Sequence, residues 1–180
     1  LNISAVPHAG SFPSFLELHN SSLSEVDLSG WGISNEGDRP FKSTLPAGTS
    51  VPGGGRLVIW CTTSPSPSGL HAGFDLASGG STVFLTRADG IQSDAFSFGL
   101  QVADQSLSRI GNVWTLAEPT PGAENGTALP LGSQDRLTVN EWVSNRISGQ
   151  SDWLELYNKD SSHPVPLRGL FLTSSGAVYR

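Results

Sequence analysis

Apolar residues in this chain come in short runs, and residues that favour turns follow each run. Residues 15–19 alternate apolar and polar side chains, which predicts a strand with one buried face. Residues 56–61 are apolar on both faces, which predicts a central strand covered on both sides. No apolar stripe with helical spacing persists for the roughly 10 residues that a helix needs. About ten such runs, separated by Gly, Pro and Ser, predict an all-β fold, a two-sheet sandwich of the immunoglobulin-like kind.

The pattern is repeated within the chain. Three blocks recur downstream in the same order, and residues are added only in the Ser/Gly-rich gaps between them. Residues 1–4, 15–20 and 26–30 recur as residues 137–140, 153–158 and 165–169. Chance similarity between two β-rich segments is the alternative to duplication. The repeat predicts one complete module over residues 1–126, a linker over residues 127–136, and the N-terminal part of a second copy over residues 137–180.

The charge pattern argues against one class of partner. The chain has 10 basic and 16 acidic residues, a net charge of −6, and its only lysines are Lys42 and Lys159. Proteins that bind nucleic acid neutralise phosphates with clustered positive charge, whereas the arginines here are dispersed. Nucleic acid is therefore not an expected partner.

Several residue types and segments are missing from the chain. No run of about 18 apolar residues is present, so we expect no membrane span. Cys61 is the single cysteine, which excludes an intramolecular disulfide. There is no methionine, even at position 1, so we expect the chain to have been excised from a precursor or a larger protein.

The ordered blocks of the chain resemble the lamin tail domain. The similarity lies in residues 15–20, 26–31, 45–49, 52–54, 57–59, 74–80, 89–90 and 119–123. It covers nearly all of residues 1–126, and residues 137–180 resemble the first third of another such domain. The resemblance implies an immunoglobulin-like sandwich, in agreement with the strand pattern. In one departure, the acidic residue that commonly ends the family's first strand is Glu141 in the second copy but Ala5 in the first.

The resemblance also implies a class of function. In nuclear lamins the domain is a non-enzymatic surface for proteins and chromatin, and in bacteria similar domains decorate secreted or surface proteins, often beside hydrolases. This chain lacks coiled-coil heptads and a basic tract, so it is similar to the bacterial, extracellular kind. We expect a non-catalytic interaction or attachment module with a protein partner, located outside the cell or on its surface. An accessory region of a secreted hydrolase, with the catalytic domain outside this chain, is an alternative.

Candidate catalytic chemistry is sparse. The four histidines are far apart and show no HExxH spacing, and no Gly-x-Ser-x-Gly motif precedes a helix. The glycine-rich stretches lack the lysine and the following helix of a phosphate-binding loop, so turns are expected there. We therefore predict no enzyme activity, no catalytic residue and no cofactor.

One group of carboxylates is a candidate metal site. Glu141, Asp152 and Glu155 could converge near one end of a sheet and bind a hard cation such as calcium through their oxygens. The alternative is that they are exposed strand residues, because alternation directs Glu155 to the solvent face.

The second copy carries more apolar side chains than a few strands without an opposing sheet can bury. The candidate interaction residues are Trp142, Trp153, Leu154, Leu156, Tyr157 and Phe171. One hypothesis is that this segment pairs its strand edges with another chain, which would make the protein a self-assembling structural subunit, a homo-oligomer. The alternative is that the sequence continues past Arg180 and completes the sandwich.

Overall fold

The computed structural model describes residues 2–7, 13–64, 67–144 and 151–173. The chain divides into two compact units, Leu1–Leu129 and Pro130–Arg180. The domain limits expected from the sequence, at residues 126 and 137, stay predictions.

The first unit contains twelve of the strands in the described residues. They are β1 (Asn2–Pro7), β2 (Phe15–His19), β3 (Val26–Asp27), β4 (Gly32–Ser34), β5 (Ser43–Thr44), β6 (Ser50–Val51), β7 (Arg56–Trp60), β8 (Leu70–His71), β9 (Ser81–Thr86), β10 (Gln92–Phe98), β11 (Ser106–Ile110) and β12 (Val113–Ala117). Six form one sheet in the order β12-β11-β1-β2-β7-β8, and four form a second in the order β10-β9-β4-β5. β3 and β6 form a separate pair.

The core lies between the two larger sheets. Buried apolar side chains from both sheets belong to one cluster, among them Ile3, Leu16, Leu18, Ile59, Ile33, Val83 and Leu85. Along one side, the ring of Phe96 on β10 stacks on that of Trp114 on β12, with 3.7 Å between the ring centroids. The prediction of an all-β, immunoglobulin-like sandwich is confirmed.

The expectations for two strands were wrong in detail. β2, predicted to have one buried face, is buried from Phe15 through Leu18, and it lies in the middle of the six-stranded sheet. β7, predicted to be the central strand, is second from the edge, and Ile59 is its only fully buried residue. β2 is buried on both faces because its outer face is also covered. The Trp60 ring packs edge-on against Phe15 there, and the turn that contains Gly122 lies over Glu17.

The described part of the second unit contains one hairpin. A 3₁₀ turn, Gln134–Arg136, leads into β13 (Leu137–Val143), which pairs antiparallel with β14 (Trp153–Asn158). Residues 159–173 form turns and irregular structure. This hairpin and the turns after it are the part of the chain where the sequence predicted interaction residues.

Candidate interaction site on the second unit

The hairpin of the second unit repeats the pairing of β1 with β2. Val139 lies opposite Leu156, as Ile3 lies opposite Leu18. In both hairpins a one-residue bulge follows this pair, so the repeat extends to the irregularity as well as to the strands. Two hairpins with the same register and the same bulge place equivalent residues on equivalent faces.

The asparagine at the end of the second strand of each hairpin, Asn20 or Asn158, forms the same local turn in both units. Asn20 Oδ1 accepts the N–H of the residue two positions on at 3.1 Å, and its Nδ2 donates to the Ser24 carbonyl at 2.8 Å. Asn158 Oδ1 accepts the N–H of Asp160 at 2.9 Å, and its Nδ2 donates to the His163 carbonyl at 2.9 Å. The local side-chain bonds that form the first turn therefore also form the second.

A glycine turn follows in both units. Gly30 has a φ of +76° and Gly169 a φ of +82°, a conformation that glycine adopts without steric cost. In each case the N–H after the glycine donates to the carbonyl two residues before it, Leu28 or Leu167, at 3.1 Å. Three consecutive local structures thus correspond between the two units.

The units differ in what covers the equivalent apolar positions. Leu18 and Leu28 are fully buried in the core of the first unit, whereas their counterparts Leu156 and Leu167 are 42% and 48% exposed. Side chains that form the core of a complete sandwich are therefore open to solvent in the second unit.

These exposed side chains form an open groove of about 600 Å³, which we call the apolar groove. It is lined by Gln134, Leu137, Thr138, Val139, Leu154, Leu156, Leu167, Leu170, Phe171 and Leu172. A smaller hollow of about 370 Å³ at the end of the hairpin is lined by Trp142, Val143, Ser144, Asp152, Trp153, Leu154 and Leu172. An exposed apolar surface of this kind is typical of a site that binds another protein.

The structure distributes the predicted interaction residues between these two surfaces. Leu154, Leu156 and Phe171 line the apolar groove, while Trp142 and Trp153 line the hollow. Tyr157 is exposed but lines neither surface. Five further residues that line the apolar groove were not among the predicted interaction residues: Leu137, Val139, Leu167, Leu170 and Leu172. The equivalence of Val139 with Ile3 and of Leu167 with Leu28 was the signal that could have identified two of them.

The three candidate metal ligands do not form one cluster. Glu141 and Glu155 lie opposite each other across the hairpin, and Asn140 Nδ2 donates to Glu155 Oε1. Asp152 lines the hollow instead. Within residues 2–7, 13–64, 67–144 and 151–173, no three His, Cys, Asp or Glu side chains are grouped so that they could hold a metal ion.

The titratable side chains around the second turn stabilise its local structure. Asp160 Oδ1 accepts the backbone N–H groups of Ser162 at 2.9 Å and His163 at 3.0 Å. These hydrogen bonds, that from Ser162 foremost, hold the pKa of Asp160 below its usual value. In the first unit, burial and the adjacent Arg56 lower the pKa of His19. Both shifts follow from local structure.

The fold defines a class of protein, an immunoglobulin-like β-sandwich module. The family model of the Lamin Tail Domain matches residues 1–99, more than half of the chain. The chain therefore belongs to the lamin tail domain family, whose domain is generally a non-catalytic interaction module. A comparison with curated proteins finds no similar sequence. In the part of the chain that the structure describes, no helix is long and apolar enough to cross a membrane.

Proposed function

We propose that the chain is a non-catalytic interaction or attachment module of a secreted or cell-surface protein, and that it binds another protein through the apolar groove. One observation carries this proposal: side chains equivalent to core residues of the first unit are exposed in the second. Removing apolar surface from water contributes about 25 cal/mol per Å², so a partner that covers the groove gains binding free energy from every leucine it buries.

Sequence features support the proposed location, outside the cell or on its surface. The chain lacks the heptads and the basic tract that accompany the nuclear members of the family. A position beside a secreted hydrolase stays a prediction from the family resemblance, and the described residues carry no feature that favours it.

Self-assembly is the second candidate, and the sheet edges favour it. β13 and β14 form a two-stranded sheet, and no third strand lies beside either of them in the described residues. Isolated two-stranded sheets are marginally stable, and exposed edges pair readily with strands of other chains. A second copy of this chain could supply such a strand.

The test uses the full chain and two matched variants. Leu156→Asp places a charge in the apolar groove, whereas Tyr157→Asp changes the next residue of the same strand, which is exposed and outside the groove. We expect the unaltered chain and Tyr157→Asp to bind an apolar fluorescent dye such as Nile red, and Leu156→Asp to lose most of that binding. Equal dye binding by all three proteins would overturn the proposal.

Light scattering over a concentration range separates the two candidates. Oligomers that grow with concentration and disappear in Leu156→Asp would favour self-assembly. A monomer that still binds the dye at the groove would favour attachment to a different protein.

A further inference from the structure

We propose that the first unit binds a carboxylate group in a polar pocket at one end of its six-stranded sheet, and that the guanidinium group of Arg56 recognises it. The pocket has a volume of about 400 Å³, within the range of cavities that hold small ligands. It belongs to the first unit and is independent of the apolar groove. We call it the arginine pocket, and its lining includes His19, Arg56, Arg109, Asn112, Glu124 and Asn125.

Three segments that are distant in the sequence build the arginine pocket. His19, the last residue of β2, lies directly opposite Arg56, the first residue of β7. The segment after β12 adds Glu124 and Asn125, and Asn125 Nδ2 donates to the carbonyl of Arg109 on β11 at 3.0 Å. Strands with a fixed register and a segment attached to them hold a binding site in a defined geometry.

Arg56 has hydrogen-bonding capacity that the first unit does not use. Its Nε is buried and donates to no acceptor in the described residues, and it lies 3.7 Å from Oε1 of Glu17, beyond hydrogen-bond distance. The side chain is 20% exposed, so a ligand that enters the pocket can reach the guanidinium group. A carboxylate fits this group because its two oxygens match the geometry of the guanidinium donors.

The charges around Arg56 favour a ligand with a single negative charge. Burial foremost, and then the charge of Arg56, lower the pKa of His19, so the imidazole is mostly neutral at pH 7. Glu124 acts on the pKa of His19 in the opposite direction, as Glu17 does, so both carboxylates lie near the same ring. They partly offset the positive charge of the arginine. A phosphate group, which carries nearly two negative charges, is therefore repelled more strongly than a carboxylate.

Arg109 supplies the second positive charge of the lining. Its Cζ lies 5.0 Å from the centre of the Trp114 ring, and its Nη2 lies 4.0 Å from Oδ2 of Asp94. Asn112 is exposed in the turn between β11 and β12, and its side-chain amide is a further donor for a ligand oxygen. A side chain of a partner protein and a free carboxylic acid both present the carboxylate that these groups recognise.

The test follows the Arg56 Nε–H resonance of the isotope-labelled full chain by NMR while sodium acetate is added at constant ionic strength. Arg56→Lys removes this resonance and thereby assigns it. We expect a saturable shift with a dissociation constant of roughly 1 mM to 10 mM, as one ion pair provides. Sodium chloride should produce no saturable shift. Absence of a saturable shift with acetate, or tighter binding of inorganic phosphate than of acetate, would overturn the proposal.

Two glutamates of the same segment provide matched variants. Glu124→Gln removes a negative charge from the pocket and should tighten acetate binding about threefold, because like charges near a surface repel by this order. Glu118→Gln changes an exposed glutamate outside the lining and should leave the affinity unchanged. Equal affinities of the two variants would contradict the assignment.

Arg56→Gln should abolish acetate binding, which the backbone resonance of Gly111 at the edge of the pocket reports. This variant also removes the ion-pair partner of Glu17, so it is expected to lower stability. If it does not fold, the comparison of Glu124→Gln with Glu118→Gln still decides the question. Undiminished acetate binding by folded Arg56→Gln would overturn the role of Arg56.

Two further ligands distinguish the sources of the carboxylate. A glutamate flanked by glycines and capped at both ends represents a side chain of a partner protein, and succinate represents a free acid. Binding of the peptide at least as tightly as acetate would identify a partner protein, whereas binding of acetate and succinate alone would identify a free acid. Equal binding of a peptide with glutamine in place of glutamate would overturn recognition of the carboxylate.

Discussion

Glu17 and Gly122 are 105 residues apart in the sequence, and the backbone N–H of Gly122 donates a 2.8 Å hydrogen bond to Oε2 of the Glu17 carboxylate. The bond attaches the turn of residues 120–123, which follows the last strand of the first unit, to the outer face of the six-stranded sheet. Nε of Arg56 approaches the other carboxylate oxygen at 3.7 Å. A charged side chain at the centre of the sheet thus connects three distant segments.

Removing the Glu17 carboxylate is expected to destabilise the first unit. Glu17→Ala leaves the Gly122 N–H without this acceptor and Arg56 without its partner, which costs roughly 2 to 4 kcal/mol of unfolding free energy. Glu155→Ala is the matched control, because Glu155 holds the equivalent position but is exposed, and we expect it to cost less than about 0.5 kcal/mol. Urea denaturation of the two variants measures the difference. Equal losses would contradict the role assigned to Glu17.

Asn20 and Asn158 form the same local turn, but Asn20 has an additional role. It is fully buried, and its Nδ2 also donates to the Val51 carbonyl at 2.9 Å, whereas Asn158 is half-buried. Asn20→Ala should therefore cost roughly 2 to 3 kcal/mol, because it leaves buried carbonyls without donors, and Asn158→Ala about 1 kcal/mol or less. Thermal or urea unfolding of both variants gives the comparison, and a larger loss at Asn158 would be the contrary result.

The Cys61 thiol is expected to make stability depend on pH in alkaline solution. Burial raises its pKa to about 12, whereas in the unfolded chain the thiol ionises near its ordinary value of about 9. Between these values the unfolded chain loses a proton that the folded chain keeps, so unfolding becomes easier as pH rises, by about 1.4 kcal/mol per pH unit. Urea titrations between pH 8 and pH 10.5 should show a steeper decline in the unaltered chain than in Cys61→Ala. Parallel declines would indicate that the thiol is accessible.

The same burial should protect Cys61 from thiol reagents. At pH 8 a thiol with this pKa is ionised on the order of a thousandfold less than a free one, and the thiolate is the reactive form. Reaction with an aromatic disulfide reagent is expected to be very slow in the folded protein and fast in urea. Rapid reaction without urea would contradict the burial of the thiol.

Gly53 is expected to tolerate no side chain. A Cβ there would lie 2.3 Å from the Leu23 carbonyl oxygen and 2.4 Å from its carbon, so the backbone would have to move. Gly53→Ala should cost roughly 2 kcal/mol or more, as overpacking against fixed atoms does. At Gly79, a second turn glycine, a Cβ would meet nothing within 4 Å, so Gly79→Ala should change stability by less than about 1 kcal/mol. Comparable losses in the two variants would show that the contact with Leu23 is not limiting.

The strands and the sandwich could be predicted because they depend on local patterns. Leu16 and Leu18 alternate with polar residues, and this period of two is enough to assign β2. The burial of Glu17 could not be predicted, because its partner Gly122 is 105 residues away and alternation places a glutamate on the solvent side. The place of β7, second from the edge of its sheet, could not be predicted either, since strand order within a sheet is not encoded in the pattern of one strand.

The apolar surfaces of the second unit could be predicted only in part. Trp153 and Leu156 were identified from their size and from the repeat, and both lie on an apolar surface. Tyr157 follows Leu156 directly, so the strand geometry directs it to the other face, away from the groove. Val139 was not predicted, although the repeat aligns it with Ile3, and its pairing with Leu156 matches the pairing of Ile3 with Leu18.

The second unit repeats the start of the first, and in the described residues the counterparts of Leu18 and Leu28 are exposed. Amide hydrogen exchange of the full chain, resolved along β2 and β14, tests it most directly. We expect the amides of β2, which is buried between two neighbouring strands, to exchange at least about a hundredfold more slowly than those of β14, which has one neighbour in the described residues. Equal protection of the two strands would contradict the account, because it would mean that β14 is already covered.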